Sequence, residues 1–157
     1  MKKLLFLSLI LILFNCENET SNKIPAFEAR INDNFDWVAD SYSATFQNNQ
    51  LSLTGNSPFG TIALQIDSLE VGSYNLYSWT DDFAVFQDTL QYSTRNDGIT
   101  SIAFLSDGHV DINEIDSVNN TVSGHFHFDA YNGTGEYTIN ISEGVFYKIP
   151  INSGSQD

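Results

Sequence analysis

Apolar and polar residues alternate with a period of two in short segments that begin at Phe27. Residues 27–31 and 42–47 show this alternation, which is typical of strands with one buried face. Asn48-Asn49 follows the second segment and predicts a tight turn, because asparagine tolerates the positive φ of hairpin turns. The pattern therefore predicts a first hairpin that continues into Leu51 and Leu53.

Further segments of this kind follow along the chain, and no long amphipathic helical pattern competes with them. They cover residues 62–66, 72–76, 89–94, 99–105, 109–116, 122–130 and 137–141. Nine or ten short strands with turn signals between them predict an all-β fold, an antiparallel β-sandwich, with a closed β-barrel as the alternative. We expect a single β domain over residues 26–151 and a polar tail over 152–157.

The N-terminus carries a targeting signal. Lys2 and Lys3 precede an apolar run over residues 4–14, which is too short to span a bilayer as a helix and predicts a signal peptide over residues 1–15. Cys16, the single cysteine, follows directly and resembles the lipobox of bacterial lipoproteins. The resemblance implies a lipidated thiol and cleavage before Cys16. The alternative is an incidental thiol in an ordinary secretory signal.

Residues 17–22 are polar, and Pro25 marks the start of the folded part, so residues 16–25 are predicted to be a lipidated cysteine followed by a flexible tether. Glu17 and Glu19 resemble the surface-export signal of Bacteroidota lipoproteins, although an ordinary spacer has a similar composition. We expect a protein anchored to the outer membrane by its N-terminal lipid, on the periplasmic side or at the cell surface.

The charge of the chain excludes one class of partner. Acidic residues outnumber basic ones by 20 to 6, which gives a formal net charge of −14. A chain this acidic repels a polyphosphate, so we expect no nucleic acid partner.

Several short motifs resemble a family of uncharacterised Bacteroidota outer-membrane lipoproteins. That family opens with F-x-A-x-I-N and W-x-A, continues with G-x-Y-x-L and V-S-G-x-F-x-F, and closes with G-x-F. The matching segments here are Phe27–Asn32, Trp37–Ala39, Gly72–Leu76, Val122–Phe128 and Gly144–Phe146, with Asp33 where the family usually has glycine. The resemblance implies an all-β extracytoplasmic lipoprotein and supplies no activity.

The three histidines of the chain form the first candidate site. If Val110 and Ile112 face the same side as Phe126 and Phe128, the opposite face carries His109, Asp111, His125, His127 and Asp129. This register pairs His109 with Asp129, Asp111 with His127, and Asn113 with His125. Imidazoles and carboxylates are zinc ligands, so the cluster is a candidate metal site. The alternative is a solvated sheet face.

An aromatic segment forms the second candidate site. It contains Tyr77, Trp79, Asp81, Asp82 and Phe83. Exposed rings beside carboxylates suit a sugar, whose apolar face stacks on aromatic rings while acids accept hydrogen bonds from its hydroxyls. The alternative is that Trp79 and Phe83 close one end of the core. Asp81 and Asp82 also form a candidate calcium site.

Sequence signatures of catalysis are weak. The chain has no G-x-S-x-G elbow and no glycine-rich phosphate loop. The sequence therefore favours a non-enzymatic binding or interaction module without a cofactor, with a glycan or an outer-membrane protein as its partner. The alternatives are a glycan-acting hydrolase that uses paired carboxylates and a structural subunit of an outer-membrane complex.

Overall fold

The computed structural model describes residues 26–99 and 105–153, and every regular element within them is a β-strand. The all-β prediction is confirmed. The predicted signal peptide, Cys16 and the tether lie outside the described residues, as does most of the predicted strand over 99–105.

Eleven strands make up the described chain, slightly more than the nine or ten predicted. They are β1 (Ala26–Ile31), β2 (Phe35–Val38), β3 (Ser41–Gln47), β4 (Gln50–Ser57), β5 (Gly60–Ile66), β6 (Gly72–Asn75), β7 (Phe83–Gln87), β8 (Gln91–Ser93), β9 (Asp107–Asp116), β10 (Thr121–Asn132) and β11 (Thr138–Ser153). The short strands β2 and β7 were not predicted, because four or five residues give too little alternation to be distinguished from a loop.

The strands belong to one mixed sheet in the order β2-β1-β11-β3-β4-β5-β7-β8-β10-β9-β6, with β10 and β11 also paired. The short pairings of β8 with β10 and of β11 with β3 divide the sheet into two layers, one of β2, β1, β11, β10, β9 and β6 and one of β3, β4, β5, β7 and β8. The layers pack face to face, since a Cβ at Gly55 of β4 would lie 2.7 Å from the Phe27 ring and 2.8 Å from the Trp37 ring. This arrangement is consistent with a β-sandwich-like fold.

Two short pairings join the layers. At one side β8 pairs with β10 through Tyr92 and Ser93 only. At the other side the last three residues of β11 pair with β3 in parallel. The predicted antiparallel arrangement is present at every other strand pairing of the described residues. This one pairing is parallel, because β11 is long enough to continue past its antiparallel neighbours to a strand that runs in its own direction.

Asparagine and aspartate form the turns at two hairpins. Asn48 and Asn49 have φ of 54° and 65° between β3 and β4, which confirms the predicted first hairpin. Asn32 and Asp33 have φ of 50° and 58° between β1 and β2. Aspartate tolerates this left-handed conformation, so Asp33 occupies a turn position suited to glycine.

An aromatic core fills the space between the layers. The Phe27 ring lies 5.8 Å from Trp37 and 5.5 Å from Phe126, and Phe126 in turn lies 6.4 Å from Phe146. All four side chains are buried. The two layers therefore form a rigid support for the side chains on their outer faces.

Candidate functional site

The hairpin between β9 and β10 begins at a turn organised by one carboxylate. The Asp116 side chain accepts hydrogen bonds from the backbone N–H groups of Val118 and Asn119, at 2.8 and 3.0 Å, and from the Asn119 side chain at 2.6 Å. Asn120 completes the turn with φ of 53°. These contacts bring Asp116 opposite Thr121 and thereby set the register beside the turn.

A β-bulge then changes that register. Glu114 lies opposite Ser123, but the next pair is Ile112 with Gly124, so Asn113 has no partner across the hairpin. The bulge keeps the apolar residues of β9 inside, because Ile115 points inward beside the turn while Ile112 and Val110 point inward beyond it.

All three histidines lie on the outer face of this hairpin, as the sequence predicted, but their neighbours differ. His109 lies opposite His127, Asp111 opposite His125, and Asp107 opposite Asp129. The predicted pairs His109–Asp129 and Asp111–His127 are wrong by two residues. The turn geometry and the bulge together shift the observed register by two residues from the predicted one. A shift by an even number of residues keeps each side chain on its predicted face but changes the residue opposite it.

The side chains of this face contact one another directly. The rings of His109 and His127 meet edge to face with centroids 4.1 Å apart, and His109 Nε2 lies 3.2 Å from a carboxylate oxygen of Asp111. His125 Nδ1 lies 2.7 Å from Oδ1 of the bulged Asn113. The predicted proximity of Asn113 and His125 is thus present, although the two residues are not a cross-strand pair.

Asp129 bonds to β11, the neighbour of β10 on the side opposite β9. Its carboxylate accepts a hydrogen bond from Asn140 of β11 at 2.8 Å. Within residues 26–99 and 105–153, no group of three or more His, Cys, Asp or Glu side chains is arranged to hold one metal ion. Metal binding by His109, Asp111, His125, His127 and Asp129 stays a prediction.

Two shallow depressions lie on either side of the His109–His127 contact. The larger, of about 340 Å³, is lined by the three histidines together with Glu143, Gly144 and Val145 of β11. The smaller, of about 110 Å³, is lined by the same two histidines and by Asn75, Tyr77 and Asp107. The histidine pair therefore forms a ridge between two recesses.

The smaller recess connects the histidines to the aromatic segment. Tyr77 lines this recess, and its ring stacks on Trp79 with centroids 4.8 Å apart and planes at 25°. Trp79 is 64% exposed. The interpretation that Trp79 closes one end of the core is therefore wrong, and the two candidate sites of the sequence lie next to each other.

The other residues of the aromatic segment have separate roles. The Asp82 carboxylate accepts a hydrogen bond from the Asp67 backbone N–H at 2.7 Å, and burial raises its pKa. The Phe83 ring lies under the Arg95 guanidinium, 4.2 Å from it, and Arg95 also donates to the Asp81 carbonyl at 2.9 Å. The structure thus groups Tyr77 and Trp79 with the histidines, and it assigns Asp82 and Phe83 to contacts within the fold.

Sequence reasoning missed three residues of this face. Asp107 could have been found, because it precedes His109 by two positions on the same strand and so shares its face. Asn75 and Glu143 could not, since their approach depends on β6 lying beside β9 and β11 beside β10. Such neighbours are set by topology, for which the local sequence holds no signal.

The surroundings of the face are electrically negative. Burial raises the pKa of the Tyr131 hydroxyl, and the carboxylates of Asp129, Asp97 and Asp107 raise it further. Tyr131 follows Asp129 by two positions on β10, and Asp107 lies opposite Asp129, so these two carboxylates lie on the same outer face. An anionic ligand would meet repulsion here.

No helix that is long and apolar enough to cross a bilayer occurs in the described ranges.

Comparisons with known proteins identify a family but no activity. No curated protein and no solved structure matches the chain. The family model described as a domain of unknown function, DUF6252, matches residues 23–150, which include every strand except the last few residues of β11. The chain therefore belongs to the DUF6252 family.

Proposed function

We propose that this protein is a lipid-anchored, extracytoplasmic binding module and that its binding surface is the outer face of β9 and β10. The observation that carries the proposal is the exposed histidine ridge with a recess on each side of it. The larger recess, of about 340 Å³, is within the size range of small-molecule sites.

The support beneath this surface favours binding. The histidines alternate along their strands with the buried residues Val110, Phe126 and Phe128, so the backbone that holds them is fixed by the core. Functional side chains on rigid strands are positioned more accurately than those on loops. Neutral imidazoles offer both a hydrogen-bond donor and an acceptor, which suits recognition of a polar ligand.

The geometry gives less support to a hydrolase. A glycosidase needs a carboxylic acid and a carboxylate that face the same substrate. Asp129 on the binding surface is bonded to Asn140, and Asp111 contacts His109. Asp82, whose pKa is raised by burial, accepts a hydrogen bond from the backbone of a neighbouring loop.

A second candidate function is that of a structural subunit that docks onto an outer-membrane protein. Such a subunit needs an exposed apolar patch. The rings of Phe35 and Phe59 meet edge to face on the surface, with centroids 5.0 Å apart, and Phe59 is 62% exposed. This pair supports docking, but two rings form a small patch.

The lipid anchor rests on the sequence around Cys16, which follows an apolar run preceded by Lys2 and Lys3. Two acyl chains on a cysteine are enough for stable membrane attachment. We expect the native protein to enter the detergent phase of a detergent extraction and the Cys16→Ser variant to stay in the aqueous phase. Native protein in the aqueous phase would contradict the anchor.

The binding surface is tested with a double variant. We expect that a thermal-shift screen of the full chain in detergent micelles, against oligosaccharides, peptides and divalent metal ions, yields at least one ligand that raises the melting temperature. The variant His109→Ala/His127→Ala, which removes two partly exposed side chains, should fold and lose that shift. Equal shifts in both proteins, or no ligand at all, would contradict the proposed surface.

A further inference from the structure

We propose that Tyr77, Trp79, Asp107, His109 and His127 form a single saccharide-binding site for an uncharged or basic sugar chain. This inference names the ligand class of the binding surface and so rests on the proposed function. In this site the sugar ring stacks on Trp79, and its hydroxyls bond to the groups of the histidine ridge and the smaller recess.

Trp79 lies on a turn whose backbone is held by hydrogen bonds on both sides of it. The backbone N–H of Thr80 donates to the Tyr77 carbonyl at 3.1 Å, and the Tyr77 N–H donates to the Thr80 hydroxyl at 3.0 Å. Between them, the Ser78 hydroxyl donates to the Asp97 carboxylate at 2.8 Å. An aromatic ring on a turn fixed in this way loses little conformational entropy when a ligand binds.

One face of the Trp79 ring is supported and the side chain is largely exposed. Tyr77 stacks against it at 4.8 Å and is itself half-buried, while Trp79 stays 64% exposed. A side chain this exposed contributes little burial free energy to folding, so packing of the core does not explain its placement. A flat apolar surface of this kind suits the apolar face of a sugar ring.

The polar groups that a sugar needs lie around Tyr77, the ring on which Trp79 stacks. Tyr77 and the His109–His127 ridge line the same recess, together with the Asp107 carboxylate and the Asn75 amide. Imidazole and amide groups donate and accept hydrogen bonds, and the carboxylate accepts them from hydroxyls. A recess of about 110 Å³ is too small for a long chain. A chain of several sugars would therefore cross the ridge towards the recess of about 340 Å³.

The charges around the site select the class of sugar. Neither recess is lined by lysine or arginine among the described residues. Arg30 lies within 3.5 Å of Asp36 and Glu143, Arg95 covers Phe83, and Lys148 lies over Tyr147. Asp107 and Asp111 would thus repel an acidic sugar with no cation beside them to offset the repulsion. A neutral sugar would not be repelled, and an amino sugar would be attracted.

The experiment uses the full chain in detergent micelles and four probes: cellohexaose, mannohexaose, a chitosan hexamer and a hexamer of galacturonic acid. The chain has two tryptophans, and Trp37 is fully buried, so a ligand-induced change of tryptophan emission reports Trp79. We expect a saturable change with at least one neutral or basic hexamer and none with the acidic one. Tighter binding of the acidic hexamer would overturn the inference.

Variants then locate the site by calorimetric titration. We expect Trp79→Ala and His127→Ala each to weaken binding at least tenfold without lowering the melting temperature, because both side chains are exposed. Phe59→Ala is the matched control, since Phe59 is as exposed as Trp79 and lies beside Phe35. Equal affinity of Trp79→Ala and the wild type would overturn the inference.

The two proposals fail in different ways. If none of the four hexamers binds but another ligand binds and loses its affinity in His109→Ala/His127→Ala, the saccharide inference is wrong and the binding surface stands. If a hexamer binds and the histidine variants bind it as tightly as the wild type, both are wrong.

Discussion

At the residue scale, Gly124 of β10 pairs with Ile112 beside the β9 bulge on one side and with Phe146 of β11 on the other. A Cβ here would overlap the Asp111 carbonyl oxygen and the Phe146 ring, and neither a backbone atom nor a core ring yields easily. We expect Gly124→Ala to lower the free energy of unfolding by about 2–3 kcal/mol in urea denaturation. Gly133→Ala is the control, because nothing lies within 4 Å of its Cβ position and its cost should stay within about 0.5 kcal/mol.

Asp116 gives the stability a dependence on pH. The Asn119 side chain and the backbone N–H groups of Asn119 and Val118 bond its carboxylate and lower its pKa from 3.8. Because the folded pKa lies below the unfolded one, this stabilisation is present above about pH 4 and is lost as the pH falls through the folded pKa. We therefore expect Asp116→Asn to unfold at lower urea concentration than the wild type at pH 7, and the difference should narrow below pH 4.

Asp82 provides the opposite case for the same measurement. Burial raises the pKa of Asp82, so ionisation of this carboxyl group opposes folding. Any loss of unfolding free energy in Asp82→Asn relative to the wild type should therefore not become smaller as the pH falls. A constant difference between Asp116→Asn and the wild type from pH 7 to pH 3 would contradict the role of the Asp116 charge.

At the scale of the element, the alternation of apolar and polar residues correctly predicted which face of β9 and β10 each side chain occupies. It did not predict which residues lie opposite each other across the hairpin. Inward residues of a regular strand are two positions apart, as Val110 and Ile112 are, but the next inward residue of β9 is Ile115, three positions further on. This extra residue is the sequence signal of the bulge. With it, the register of the histidines could have been derived. The approach of Tyr77 to His109 could not, because it depends on how β6 pairs with β9.

The bulge allows a test by deletion. Removing Asn113 should leave a continuous ladder, since Glu114 opposite Ser123 would then be followed directly by Ile112 opposite Gly124. We expect this variant to fold, with an unfolding free energy within about 2 kcal/mol of the wild type, and to lose the contact to His125.

Deletion of Asp111 is the matched control on the same strand. With the existing register it would turn Val110 outward and His109 into the core, and each change is costly. We expect this variant to be unfolded by circular dichroism. Equal stability of the two deletion variants would contradict the assigned bulge.

At the scale of the whole molecule, net charge is concentrated on the part of the chain that the structure describes. The three acidic and three basic residues outside the described ranges cancel, so the described part carries the entire net charge of −14. Self-repulsion of this size opposes a compact state, and salt screens it. The same excess of carboxylates surrounds the histidine ridge, where it favours neutral and basic ligands.

A salt titration measures this repulsion. Raising NaCl from 0.02 to 0.5 M shortens the screening length several-fold, and relief of about 1 kcal/mol corresponds to a rise of about 2–4 °C in the melting temperature of a chain of this size. We expect that rise at pH 7 and a smaller one at pH 4, where about half of the carboxyl charge is neutralised. A shift of equal size at both pH values would assign the effect to general salting-out. The charge would then have no part in the stability of the fold, and the preference for uncharged or basic sugars would rest on the local carboxylates alone.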